Sequence, residues 1–228
     1  MQVKNIELIK WIALILMVGD HINKYLLNDT VPFLYNAGRV AMPLFCFTLA
    51  YNIARPDTFK NNVYIRVSQR LFVFGLIATP AYILLGGVIN GWWPLNILFT
   101  LFSLSVICYF LERGKGRELF YAFLVFTASG AVVEFWWPAI AMGVCTWLYY
   151  KNGGNIFLFL ALTFCSTLVF INHNSYALLA VPVLILAGNI SLVVPRMKWL
   201  FYVFYPLHLY LILALRSYLT GKGYLFFT

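Results

Sequence analysis

Between Leu8 and Phe47 the chain carries two consecutive apolar runs, and both hold charge. The first contains Asp20 and His21, and the second contains Arg39. An Asp or Arg at the centre of a lipid-crossing helix costs about 2.5–3.5 kcal/mol on the insertion scale. If both runs cross a bilayer, these groups must face one another, water or a ligand. That requirement limits how the two helices can pack.

The 228 residues are 63% hydrophobic and 10% charged, where a soluble domain has roughly 45–50% apolar and about 25% charged residues. The composition predicts an integral membrane protein, an all-α polytopic transmembrane helical bundle forming one domain over residues 1–228. A helical span needs about 20 mostly apolar residues. Such runs lie at about 7–27, 31–54, 64–86, 93–111, 155–171, 176–194 and 198–218. Residues 119–150 read either as two short spans breaking near Gly130 and Glu134 or as one long span bent at Pro138. The total is nine spans or eight, with nine preferred. The first run continues into Asp20-His21-Ile22-Asn23-Lys24 rather than a small-residue cleavage site, so it reads as a retained span.

Net charge is +9. In a chain this apolar, Lys and Arg report topology and anionic headgroups before nucleic acid. The Arg55–Arg66 loop and the loop at 112–118 are the basic ones, which puts them and the N-terminus in the cytoplasm. Cys46, Cys108, Cys145 and Cys165 all sit in apolar runs without metal or redox spacing, so they read as packing residues. Gly91-Trp92-Trp93-Pro94 and Phe135-Trp136-Trp137-Pro138 are similar pieces. Interface tryptophans account for both, and they are too short to establish a duplication.

Asp20 and His21 fall in the outer half of the first span, and Arg39 lies on the returning span at similar depth. An Asp20–Arg39 pair that locks the two spans and a reactive site are both compatible with this placement. Neighbours on a helix differ by about 100°, so Asp20 and His21 point to different faces. The last span carries Tyr205-Pro206-Leu207-His208, where the proline opens the helix near a mid-membrane imidazole. Arg66 and Arg70, one turn apart, form a basic inner mouth with Arg55 and Lys60. It fits anionic lipid or the phosphates of a cytoplasmic cofactor. Asn96 and Thr100, also one turn apart, offer neutral hydrogen bonds to a cavity or to a neighbouring helix. Glu134 reads as a solvated residue near the outer surface, and His173 as a loop residue without a role. There is no Gly-rich phosphate loop, nucleophile elbow, His-Glu-x-x-His helix or Cys cluster, and no metal site is expected.

Asp20-His21-Ile22, Gly38-Arg39-Val40-Ala41-Met42-Pro43-Leu44-Phe45, the arginine-led third span, Asn96-Ile97-Leu98-Phe99-Thr100-Leu101 and Tyr205-Pro206-Leu207-His208 occur in this order. Together they resemble the TraX family of conjugative-plasmid membrane proteins, from about residue 8 to 215. Two positions depart from that pattern: Asn23-Lys24 where a glycine usually follows the Asp-His-Ile triplet, and Glu134-Phe135 where Asp-Tyr is usual. The resemblance implies a multi-pass protein of the bacterial inner membrane that acetylates the N-terminal amine of F-type pilin. It also implies similarity to the wider group of membrane acyltransferases. The donor would be acetyl-CoA, with no metal, and the partners would be the pilin subunit, coenzyme A and membrane lipids. On this reading His21 is the general base, Asp20 orients the imidazole or holds the amine, and Arg39 or His208 stabilises developing negative charge. The donor-binding candidates are Arg66, Arg70, Tyr205, Asn96 and Thr100. Direct transfer and an acetyl-histidine intermediate both remain open. So do acetylation of an envelope sugar, a proton-coupled transporter and a pilus-assembly scaffold.

Overall fold

The structure, a computed structural model, describes residues 4–197 and 199–226. Helix α1 (Ile6–Leu26) starts at Asn5, whose side-chain oxygen accepts the Leu8 N–H at 3.0 Å. Helices α2 (Pro32–Gly38) and α3 (Ala41–Ile53) are one apolar run interrupted at Arg39–Val40. Pro43 has no N–H, so the Arg39 carbonyl loses its helical partner. The Arg39 and Val40 N–H groups bond three residues back, to Asn36 and Ala37, at 3.2 Å each. There follow α4 (Val63–Leu84), α5 (Ile97–Arg113), α6 (Gly116–Gly130), α7 (Trp136–Asn152), α8 (Asn155–Thr167) and α9 (Val169–Asn172). A 3₁₀ turn at Tyr176–Leu179 leads into α10 (Ala180–Asn189), and α11 (Leu200–Gly221) closes the fold.

Four segments are long and apolar enough to cross a membrane: Pro32–Ile53, Val63–Leu84, Asn155–Asn172 and Leu200–Gly221. The outward faces are apolar too, with Phe72, Leu76 and Ile77 on α4 and Phe120 and Phe123 on α6 all exposed. Lipid, not water, suits such faces, and the chain is a membrane protein. Among the described residues the fold is all helical, and contacts between distant segments tie its two ends. At one end the Lys4 N–H donates to the Gly188 carbonyl at 2.8 Å, and Lys151 pairs with Glu112 at 2.6 Å. At the other, Arg216 donates to the Leu85 carbonyl and the Tyr35 hydroxyl to the Asn172 carbonyl, each at 3.1 Å.

Residues 119–150 belong to two helices, not one bent helix. Pro138 stands in the first turn of α7, where its missing N–H has no helical partner to lose. The break between α6 and α7 docks on the loop before α5. The Leu95 N–H donates to the Val132 carbonyl at 2.7 Å and the Glu134 N–H to the Leu95 carbonyl at 2.9 Å. The two Trp-Trp-Pro pieces meet there: Trp93 stacks on Trp136 with ring centroids 6.1 Å apart, and its indole N–H donates to the Ala131 carbonyl.

Helix bounds differ from the apolar runs where polar caps intervene. Helix α5 begins at Ile97 rather than near residue 93, because the Asn96 side chain caps it by accepting the Leu98 N–H at 3.1 Å. Helix α10 stops at Asn189, and residues 190–197 form no regular element. Lys198, where the last run was expected to begin, lies outside the described residues. All four cysteines are free and buried, as packing residues should be.

Helices α5 and α7 approach closely at Gly143. A Cβ there would meet Cδ2 of the fully buried Leu104 at 2.4 Å. Gly143→Ala is expected to lower stability by about 1–3 kcal/mol, the usual cost of overpacking. Thermal unfolding in detergent checks this, and an unchanged midpoint would contradict the packing.

Candidate functional site

The charges on the first two apolar runs meet. Arg39 donates from Nη2 to Asp20 Oδ2, and from Nε to the Tyr35 carbonyl at 3.2 Å. Its guanidinium lies 4.4 Å from the Tyr35 ring centroid. Both side chains are about 15% exposed, Arg39 at 15% and Asp20 at 14%. Gly38 makes the approach possible, since a Cβ there would fall 2.4 Å from the Asp20 Cβ. The glycine, the arginine and the proline four residues later thus do one job: they bring α2 against α1 and break the chain where Arg39 must reach Asp20. Asp20 Oδ1 is buried and has no hydrogen-bond partner among the described residues.

One residue on, His21 faces elsewhere. Its Nδ1 lies 2.6 Å from His208 Nε2. The rings are 9° from parallel with centroids 4.9 Å apart, so they meet edge to edge. His208 Nδ1 lies 2.9 Å from the Phe204 carbonyl. A carbonyl only accepts, so His208 carries its proton on Nδ1. In the neutral pair His208 Nε2 then accepts, and His21 Nδ1 donates to it. This leaves His21 Nε2 unprotonated. Two tyrosines pack on the His21 ring, Tyr25 at 5.6 Å and Tyr205 at 6.2 Å, and both are nearly fully buried.

A cavity of about 560 Å³ approaches this pair from the other end of the bundle. One end is basic, with Lys10, Arg55, Arg66, Arg70 and Arg196 on its wall. Glu7 pairs with Lys10 at 2.9 Å. Arg70 lies 4.1 Å from the Trp199 ring centroid. Its other end is lined by Met17, Ile97, Leu98 and Tyr205. Met17 is one turn before His21 on α1, and Tyr205 touches both imidazoles. The histidines themselves do not line the cavity. They stand behind Tyr205.

Among the sequence-predicted residues, His21, His208 and Tyr205 come together, Asp20 and Arg39 pair beside them, and Arg66 and Arg70 line the basic mouth. Lys60 pairs instead with Asp57 at 3.5 Å on the surface. Asn96 and Thr100 are fully buried away from the cavity. Asn96 donates to the Gly75 carbonyl at 3.1 Å and to Thr79 Oγ1 at 3.2 Å, and Thr100 donates to the Glu134 carbonyl at 2.8 Å. Their polar atoms are spent on neighbouring helices, so neither is placed to meet a donor. Glu134 is not a freely solvated residue: it is half-buried, with its carboxyl facing Tyr82. Asn23, at the unusual position after the triplet, builds a turn. Its side chain donates to Asp29 Oδ1 at 3.1 Å and accepts the Val31 N–H at 2.9 Å. Sequence reasoning missed the pairing of His21 with His208 across 187 residues. It also missed the Lys10 and Arg196 contributions to the mouth. The family motifs named each histidine, but no local spacing joins them.

The family model described as TraX protein matches residues 5–216. The chain belongs to the TraX family. Protein TraX of Escherichia coli is 32% identical over 124 residues, which cover 54% of this chain and 47% of that protein. The match therefore spans about half the length of the curated relative. No solved structure matches the chain. The TraX match includes α1 through most of α11, and so includes Asp20, His21, Arg39 and His208 together.

Removing one partner of a buried ion pair typically costs about 3–5 kcal/mol, because the other charge stays buried. Asp20→Ala and Arg39→Ala are each expected to lose stability on that scale, read as a fall in thermal midpoint. A variant of either kind with wild-type stability would contradict the lock between α1 and α2.

Proposed function

We propose that the chain is a membrane acetyltransferase. It moves an acetyl group from cytoplasmic acetyl-CoA to the N-terminal amine of mature conjugative pilin at the outer side of the bacterial inner membrane. In this reading the helices make nine spans, with the N-terminus and the Arg66 end in the cytoplasm. The observation that supports the reading is the continuity of one cavity: a basic mouth at one end, and at the other Tyr205 in contact with a paired imidazole. Phosphates suit the mouth, since Arg66 and Arg70 offer charge-assisted hydrogen bonds. The apolar walls beyond suit an acyl-pantetheine arm.

The donor supplies an activated acetyl thioester, and the protein's groups do the rest. An α-amine has a reference pKa near 7.7–8.0, so the acceptor must lose a proton before it attacks. His21 Nε2 takes that proton, because the ring's own proton sits on Nδ1, hydrogen-bonded to His208. The acceptor nitrogen bonds to the acetyl carbonyl carbon and releases its remaining excess proton to solvent, the carbon–sulfur bond breaks, and the proton held by His21 returns to the departing thiolate. His208 acts through His21: anchored on the Phe204 carbonyl, it fixes the tautomer that leaves Nε2 free. Asp20 and Arg39 hold α1 in register against α2, and so set where the imidazole stands.

His21→Ala is expected to keep its fold and to lower acetyl transfer by about 10²–10⁴-fold, the usual contribution of a general base. The pilin mass from cells carrying the variant reads the loss of the acetyl group, and a fully acetylated pilin would remove His21 from the base role. The double variant Arg66→Ala, Arg70→Ala is expected to raise the KM for acetyl-CoA while leaving that for the acceptor unchanged. Equal effects on both would place these arginines outside the donor site.

A further inference from the structure

We propose that Glu134 is the carboxylate that holds the acceptor's ammonium group before transfer. The inference rests on the acetyl-transfer reading for its acceptor and on the fold for its residue. Glu134 stands in the break between α6 and α7, and the backbone there is pinned from both sides. Its N–H donates to the Leu95 carbonyl at 2.9 Å, and its carbonyl accepts the Thr100 hydroxyl at 2.8 Å. The next two residues, Phe135 and Trp136, have φ of 61° and 50°. Left-handed backbone is unusual for bulky side chains, and two in succession persist only where the surroundings impose them. The mount therefore fixes Glu134 at the cost of local strain, a pattern that clusters at functional sites.

From that mount the carboxyl faces the interior. Tyr25, Tyr82 and Tyr205 lie around it, with the charges of Lys24 and Arg39 beyond. Arg39 is committed to Asp20, and Lys24 lies over the Tyr25 ring at 5.2 Å. Among the described residues no cation stands within ion-pair distance of Glu134. Tyr82 is 3% exposed, and its hydroxyl lies beside Glu134 without a well-formed hydrogen bond. A half-buried carboxylate, aromatic faces and a buried hydroxyl without a partner make the chemistry of a primary ammonium site. Tyr25 and Tyr205 also pack on His21, so the carboxylate and the base flank the same two rings. An amine held as ammonium by Glu134 is thereby delivered beside the group that deprotonates it. A hydroxyl acceptor, which carries no charge, gains nothing from Glu134, so this residue selects amines.

The test uses the purified full chain in lipid nanodiscs and a short peptide with a free N-terminus, with its N-formylated form as control. Without acetyl-CoA, the free-amine peptide is expected to bind the wild type at least about tenfold more tightly than Glu134→Gln. The formylated peptide should bind both alike, and Glu134→Asp should lie between. In the acetylation assay Glu134→Gln raises the acceptor KM by a similar factor, with kcat changed by less than about twofold. Thermal midpoints confirm that each variant is folded, and Glu134→Asp carries the comparison if the glutamine variant is not. Equal peptide affinity in wild type and Glu134→Gln overturns the proposal, as does a fall in kcat alone. Glu134-dependent amine binding without acetyl transfer would overturn the enzyme reading and keep the amine site. Transfer with a KM indifferent to Glu134 would do the reverse.

Discussion

Charge inside an apolar bundle has to be answered by other charge or by hydrogen bonds, and in this chain the Asp20–Arg39 pair is where that demand shapes the fold. The pair needs a glycine beside Asp20 and a helix that breaks at Arg39. Gly38 and Pro43 supply both. Once α1 and α2 are locked this way, the helical rotation of about 100° per residue turns His21 away from the pair and toward α11. A structural ion pair thus fixes the bearing of the neighbouring imidazole. The family motif Asp-His followed by Gly-Arg has a mechanical sense: the first and last letters pack two helices, and the histidine is aimed as a consequence.

The second dependency runs through α11. Phe204 offers its carbonyl to His208, which orders a chain of two imidazoles ending at His21 Nε2. Catalytic histidines usually need a partner that fixes the tautomer, often a carboxylate. In the proposed reaction an imidazole held by a backbone carbonyl takes that place beside His21. Tyr205 sits between this pair and the cavity, so one helix carries the orienting residue and a wall of the cavity, while Arg196 of the basic mouth lies in the irregular segment before it.

Much of this was legible in the sequence because lipid imposes strict rules. Apolar runs gave the helices to within a few residues, and the exposed apolar faces of α4 and α6 follow from the same rule. Asp20, Arg39 and His21 stood out because charge in an apolar run needs a reason. The illegible parts are those decided by packing between distant segments. Asn96 and Thr100 could serve a cavity or a neighbouring helix by their sequence, and only the packing assigns their polar atoms to α4 and the Glu134 carbonyl. Glu134 looked like a surface acid, because nothing local shows that the turn around it folds inward onto the loop before α5. The contact of His21 with His208 depends on how the first and last helices lie against each other, which no spacing along the chain encodes.

If the cavity is the donor passage, coenzyme A occupies it from the basic mouth to Tyr205, with the paired imidazoles behind that ring. The most direct measurement is an electron cryomicroscopy structure of the purified chain with coenzyme A bound. Phosphate density is expected against Arg66 and Arg70, with the thiol at the Tyr205 end. Coenzyme A bound elsewhere, or a cavity filled by lipid with no coenzyme A at saturating concentration, would contradict it.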